Sequence, residues 1–98
     1  IRPRYQHMSV DWDDISFVIS SRYRVASLRR LADGPATPSQ IAADEDVGIA
    51  HVSRALQALR DHGLVELLVS DHRKKGRVYG LTDNGEATWE TIEEEGLA

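Results

Sequence analysis

The sequence predicts a single α+β domain, mainly α: a helix-turn-helix followed by a β-hairpin, with further helices at both ends. Three observations predict it. Residues 52–66, VSRALQALRDHGLVE, space Val52, Leu56 and Leu59 at i, i+4 and i+7, one buried stripe of a helix, and a glycine ends that stripe. Just upstream, TPSQIAADEDV carries a helix-start signal and reaches the next helix through the short turn EDVG. After Gly63 the apolar period drops from 3.6 to 2, the mark of a strand.

Ninety-eight residues make one small domain with a modest core. An apolar fraction of 41% and a charged fraction of 29% fit a soluble globular protein. No apolar run approaches the roughly 20 residues that cross a bilayer. No signal-peptide pattern is present either, so a cytoplasmic protein without a membrane partner is expected. Cysteine is absent, which removes disulfides, thiolate metal sites and thiol redox switches. Residues 1–7, IRPRYQH, precede Met8, and the pair His7-Met8 is what a common cloning site encodes. They are expected to be a vector-derived scar, leaving 8–98 as the single domain.

Setting aside Arg2 and Arg4 leaves ten basic residues against 16 acidic ones, a net charge of −6. The distribution says more about partners than that total. Residues 8–47 hold four arginines and seven acids, net −3; residues 48–80 hold six basic residues and three acids, net +3. Residues 81–98 hold six acids and no base. A basic centre therefore lies between two acidic ends. Ten Arg to two Lys, with abundant Asp and Glu, resembles the acidic, Lys-poor surfaces of proteins from salt-loving archaea. A GC-rich genome also favours arginine codons.

In chain order, WDDISFVIS (12–20) forms a short helix with Ile15, Val18 and Ile19 on one side. SRYRVASLRRLADGP follows, capped by Ser21, striped by Val25, Leu28 and Leu31 or Ala32, and stopped by Gly34-Pro35. The pattern is compatible with two helices or one kinked helix. Arg22, Arg24, Arg29 and Arg30 are expected mostly on a solvated face. Thr37 is the next N-cap, Pro38 occupies the first helical position, and Gln40 completes a T-x-x-Q capping box. This short helix ends near Asp44 or Glu45. Val65, Leu67 and Val69 then alternate with Glu66, Leu68 and Ser70 in a strand. DHRKKG (71–76) makes a polar loop, and RVYGLT (77–82) returns. Thr82 caps a last helix over 83–95, with Asp83 at its positive end and Trp89 and Ile92 as its main apolar residues.

The helix of residues 49–61 has a second face. With Ile49 at 0° and about 100° per residue, Val52, Leu56 and Leu59 cluster between roughly 280° and 340°. Ala50, Arg54, Gln57 and Asp61 fall between roughly 80° and 140°, with His51 and Ser53 beside them. Near the helix start the outward residues are thus small, hydroxylic, amide or cationic. Such side chains suit a major groove: Arg pairs bidentately with guanine, Gln with adenine, and small residues allow close approach. Asp61 lies two turns further on, where a tilted helix has left the groove. The cationic hairpin tip, Arg73, Lys74, Lys75 and Arg77, can lie along phosphate or in the minor groove.

These blocks carry a family resemblance. SRYRVASLRRLADGPATPSQIA, HVSRALQALRDHGLVE and RKKGRVYGLTDNGE, spanning residues 21–86, resemble a winged helix-turn-helix DNA-binding domain of the ArsR/MarR-like prokaryotic type. Within that type the chain is similar to small haloarchaeal regulators. The resemblance implies a three-helix core plus a β-hairpin wing, with flanking N- and C-terminal helices. It also implies a recognition helix whose Ala50, His51, Ser53, Arg54 and Gln57 face DNA, phosphate contacts from Thr37 and Ser39, and wing contacts from Arg73, Lys74, Lys75 and Arg77. Such families usually act as homodimers, and the interface candidates here are Trp12, Phe17, Val18, Trp89 and Ile92.

The expected function is therefore a sequence-specific transcriptional regulator of double-stranded DNA, acting as a homodimer. The alternative is a winged helix used for protein–protein contact in a transcription complex, which the acidic ends would suit. A nonspecific architectural DNA protein would need a broad basic surface. His51 belongs with the outward face, whereas His62 and His72 read as surface residues, so no metal site is expected. No Gly-rich phosphate loop, nucleophile motif or paired catalytic carboxylates occur, and 93–95 is a solvated charge run. Neither an enzyme nor a cofactor nor a small-molecule ligand is expected.

Overall fold

A computed structural model describes residues 10–69 and 76–98. The proposed scar lies outside the described residues, as do His72, Arg73, Lys74 and Lys75 of the hairpin tip. The order of elements is α1 (Trp12–Ile19), α2 (Arg22–Leu31), α3 (Pro38–Glu45), α4 (Ile49–Asp61), β1 (Val65–Val69), β2 (Val78–Leu81) and α5 (Asp83–Glu94). This is the mainly helical α+β, winged helix-turn-helix architecture that the resemblance implied.

Local chemistry sets most boundaries. Asp11 caps α1, its Oδ1 accepting the Asp13 N–H at 2.9 Å, with Asp13 and Asp14 at the positive end of the helix dipole. Ser21 caps α2 by accepting the Arg24 N–H at 3.3 Å, so residues 12–31 form two helices rather than one kinked helix. The capping box of α3 is complete: the Gln40 N–H donates to Thr37 Oγ1 at 3.1 Å and the Thr37 N–H to Gln40 Oε1 at 2.9 Å. Asp46 closes α3 in the left-handed region, φ 57°.

The hairpin is antiparallel, with Val65 opposite Leu81 and Leu67 opposite Tyr79. The register shifts between Leu67 and Val69, which pairs with Val78, so a bulge falls at Leu68. Alternation survives it: Val65 is buried, Leu67 and Val69 are half-buried, and Leu68 is exposed. A bridge outside the sequence reading joins Ala36 to Tyr79 through two bonds, Ala36 N–H to Tyr79 O at 3.0 Å and Tyr79 N–H to Ala36 O at 2.9 Å.

The α4 stripe, Val52, Leu56 and Leu59, is at most 1% exposed and packs with Ile15, Leu28, Ile41 and Leu64 in one core. Each such side chain contributes about 1.5–3 kcal/mol by leaving water. The sheet and α5 meet at an unusually close contact. Thr82 Oγ1 donates to Gly63 O at 2.7 Å and accepts the Gly85 N–H at 3.0 Å, while the Thr82 N–H donates to Leu64 O at 3.1 Å. A Cβ at Gly85 would collide with the Leu64 carbonyl oxygen. The GLV and LT-x-x-G blocks are thus two sides of one junction.

Three expectations need correction. Val18, Trp89 and Ile92, taken as dimer-interface candidates, are 0%, 5% and 0% exposed within the protomer's own core. They close the hydrophobic centre where α1 and α5 pack on it. Phe17 is half-buried and also occupied internally: its ring stacks on His62 at 3.7 Å with Arg24 over it at 3.9 Å. Ile19, placed with Ile15 and Val18, is instead exposed. Nor is the arginine face of α2 merely solvated. Arg29 and Arg30 pair with Glu45 and Asp44 of α3, each at 2.7 Å, and Arg24 Nη1 donates to Phe17 O at 2.6 Å.

Candidate nucleic-acid interface

The face of α4 opposite the core presents Ala50, His51, Ser53, Arg54 and Gln57, all exposed, together with Asp61 toward the far end. The division follows from the helix itself, since residues about 100° apart around the axis cannot share the stripe held by Val52, Leu56 and Leu59. Gly48 precedes α4 as an N-cap without a side-chain bond, so no bulky residue guards the helix start. Ser39 is exposed on the first turn of α3 and Thr37 is half-buried. The Thr37 hydroxyl accepts the Gln40 N–H and retains an O–H donor. Arg77 is exposed at the root of β2.

Two side chains that the sequence did not place with this face adjoin it, Tyr23 and Arg22. Tyr23 of α2 lies flat against His51, with centroids 4.2 Å apart and planes 5° from parallel. Arg22 stands 5.0 Å over the Tyr23 ring, and its Nη2 donates to Tyr23 Oη at 3.3 Å. On the other side, Arg54 Nη2 lies 3.3 Å from His51 Nδ1. A guanidinium can only donate, so this contact is a hydrogen bond when Nδ1 carries no proton and Nε2 is the ring's donor. A groove between α2 and α4 runs beneath, lined by Ser21, Tyr23, Arg24, His51, Arg54 and Ala55, among others. An aromatic residue among arginines at a helix start was the available signal, but its partner lies far along the chain.

Among the described residues, no group of three or more His, Asp or Glu is placed to hold a metal ion. No described helix is long and apolar enough to cross a membrane.

The model of one protein family, the HVO_A0261 N-terminal domain, matches residues 12–95. The chain belongs to that family. Among curated proteins, no sequence matches it. In solved structures the fold recurs in ZitR from Lactococcus lactis, with 22% identity, TM-score 0.66, and coverage of 79% of this chain and 55% of that one. It recurs in NMB1585, a MarR family regulator from Neisseria meningitidis, with 26% identity, TM-score 0.64, and coverage of 74% and 51%. A third is Mb0332 from Mycobacterium bovis, described as a homodimeric winged helix-turn-helix DNA-binding domain of a possible ArsR-family transcriptional regulator. There the identity is 20%, the TM-score 0.69, and the coverage 84% and 74%. This chain spans about half the length of ZitR and NMB1585. The matched folds are those of winged-helix transcription regulators, not of enzymes.

Proposed function

We propose that this family member is a sequence-specific, duplex-DNA-binding transcriptional regulator that acts in the cytoplasm. The observation that carries the reading is the outward face of α4, small and polar near its start, on a helix whose other side is fully buried. In the proposed complex, α4 enters the major groove, and Arg54 and Gln57 read base edges. Ala50 and Ser53 permit the approach, and His51 adds a donor at its rim. Thr37 and Ser39 at the start of α3 hold phosphate, and the wing residues Arg73, Lys74, Lys75 and Arg77 grip the backbone beside them.

The reading extends to a homodimer. Trp12 is 62% exposed at the outer end of α1, and of the five interface candidates it alone keeps a large apolar surface. A haloarchaeal origin would fit the acidic, Lys-poor composition. At molar salt the Debye length is only about 3 Å, so counterion release yields little affinity and direct contacts must supply more of it. Two copies on an inverted repeat double those contacts.

The test is selection of bound duplexes from a random pool by the chain, in molar KCl and again at low salt. Enrichment of an inverted repeat supports a dimeric regulator, and the half-site spacing gives the distance between the two α4 helices. No enrichment, together with no duplex binding at low salt, would overturn the reading in favour of a protein-contact module. Sedimentation of Trp12→Ser tests the pairing: a shift from dimer to monomer supports it, and an unchanged profile removes Trp12 from the interface.

A further inference from the structure

The contacts beside α4 form an unbroken relay from α2 to the residue proposed to read bases. Arg22 covers Tyr23, Tyr23 stacks on His51, and His51 Nδ1 lies 3.3 Å from Arg54 Nη2, accepting from it in the tautomer protonated at Nε2. Tyr23 is half-buried against the helices, whereas His51 and Arg54 are exposed. An exposed imidazole on a helix surface ordinarily samples several rotamers; this one is pressed flat on a ring rooted in another element. Its other flank is kept clear by a glycine, since a Cβ at Gly48 would come within 3.2 Å of His51 Cδ2. Fixing the ring plane fixes the direction of the Nδ1 lone pair, and with it the position in which Arg54 is held.

From this geometry we infer that Tyr23 is a positioning residue for base readout: it sets the His51 ring, which holds Arg54 in one conformation before DNA arrives. The inference rests on the reading of α4 as a DNA-recognition helix. Ordering a long side chain on binding costs about 0.5–1.5 kcal/mol, and a side chain already ordered is spared it, which corresponds to roughly twofold to twelvefold in affinity. The effect belongs to cognate sites alone, because only there does Arg54 engage a base.

The experiment measures affinity for the duplex selected by the wild-type chain and for a scrambled duplex of the same composition. The proteins are wild type, Tyr23→Phe, Tyr23→Ala, Tyr23→Leu, Arg54→Ala and the double variant Tyr23→Ala/Arg54→Ala. Tyr23→Phe keeps the stacked ring and is expected within about twofold of wild type on both duplexes. Tyr23→Ala should lose about twofold to twelvefold on the selected duplex and almost nothing on the scrambled one. Tyr23→Leu, which keeps apolar bulk without a flat ring, should match it and guards against a folding defect in the alanine variant. In the Arg54→Ala background the Tyr23 substitution should add no further loss, the signature of acting through that arginine. Equal weakening on both duplexes, or a full additional loss without Arg54, would overturn the positioning role while leaving DNA recognition standing. Failure of the wild-type chain to bind any duplex would overturn both.

Discussion

Replacing Gly85 by alanine drives a methyl group into the Leu64 carbonyl oxygen. On an open helix the same change stabilises by up to about 1 kcal/mol, so helix propensity and packing make opposite predictions. Here the obstacle is backbone: beyond the oxygen, the new Cβ would stand 3.0 Å from the Leu64 carbonyl carbon and 3.4 Å from its Cα. No rotamer change relieves that, so the first turn of α5 must retreat from the start of β1. Such overpacking costs about 1–3 kcal/mol. The retreat also stretches the bonds from Thr82 to Leu64 O and Gly63 O, now 3.1 and 2.7 Å, each contributing about 1 kcal/mol. The net expectation is a loss of about 2–4 kcal/mol, a substantial part of the roughly 5–15 kcal/mol that holds a domain of this size. Thermal unfolding followed by far-UV circular dichroism should show the midpoint falling by roughly 10–25 °C. Thr82→Ala removes the hydroxyl and the γ-methyl but brings no clash with the Leu64 backbone, and should cost about 1–2 kcal/mol, less than Gly85→Ala. A midpoint for Gly85→Ala equal to or above wild type would refute the reasoning and leave propensity as the stronger effect.

Other outcomes follow from single features. Ser27 Oγ and Thr88 Oγ1 are buried with no hydrogen-bond partner among the described residues, so Ser27→Ala and Thr88→Val should each raise stability by about 1 kcal/mol. Chemical denaturation that shows either variant less stable would mean that the hydroxyl has a partner. Arg54→Ala should weaken binding to the selected duplex by about 1–3 kcal/mol and relax preference at one base position, read by repeating the selection. An unchanged motif would remove Arg54 from base readout. Replacing Lys74 and Lys75 by alanine should weaken selected and scrambled duplexes alike and lower the slope of log affinity against log salt by about 2. A loss confined to the selected duplex would make the wing a base reader.

The elements that the sequence announced are those built from neighbours in the chain. The capping box joins Thr37 to Gln40, the Gly63 stop follows the Val52–Leu59 stripe, and the alternation from Val65 is a property of one strand. A helical wheel also separated the buried and outward faces of α4, because the angle per residue is fixed by the backbone. What it could not supply was the identity of the neighbour. Arg29 and Arg30 face outward from α2, and only the packing of α3 shows that Glu45 and Asp44 await them there. Trp89 and Ile92 looked like surplus apolar area for a three-helix core, but the same periodicity serves a dimer seam or a monomer's centre. The stack of Tyr23 on His51 joins residues on two helices with another helix between them in sequence. No local pattern encodes that pairing, so the residue proposed to preset Arg54 stayed hidden until the chain was folded.

The bridge between Ala36 and Tyr79 makes the domain a caliper. It fastens the second strand of the wing to the residue immediately before the Thr37 cap, so the root of the wing and the start of α3 are one piece of backbone. Neither jaw can swing without breaking two main-chain bonds. In the proposed complex, the span from the α3 start to the wing root is therefore set by the protein, and the duplex has to conform to it. Sequences whose grooves already have that width, or yield to it easily, would be favoured at base pairs no side chain touches.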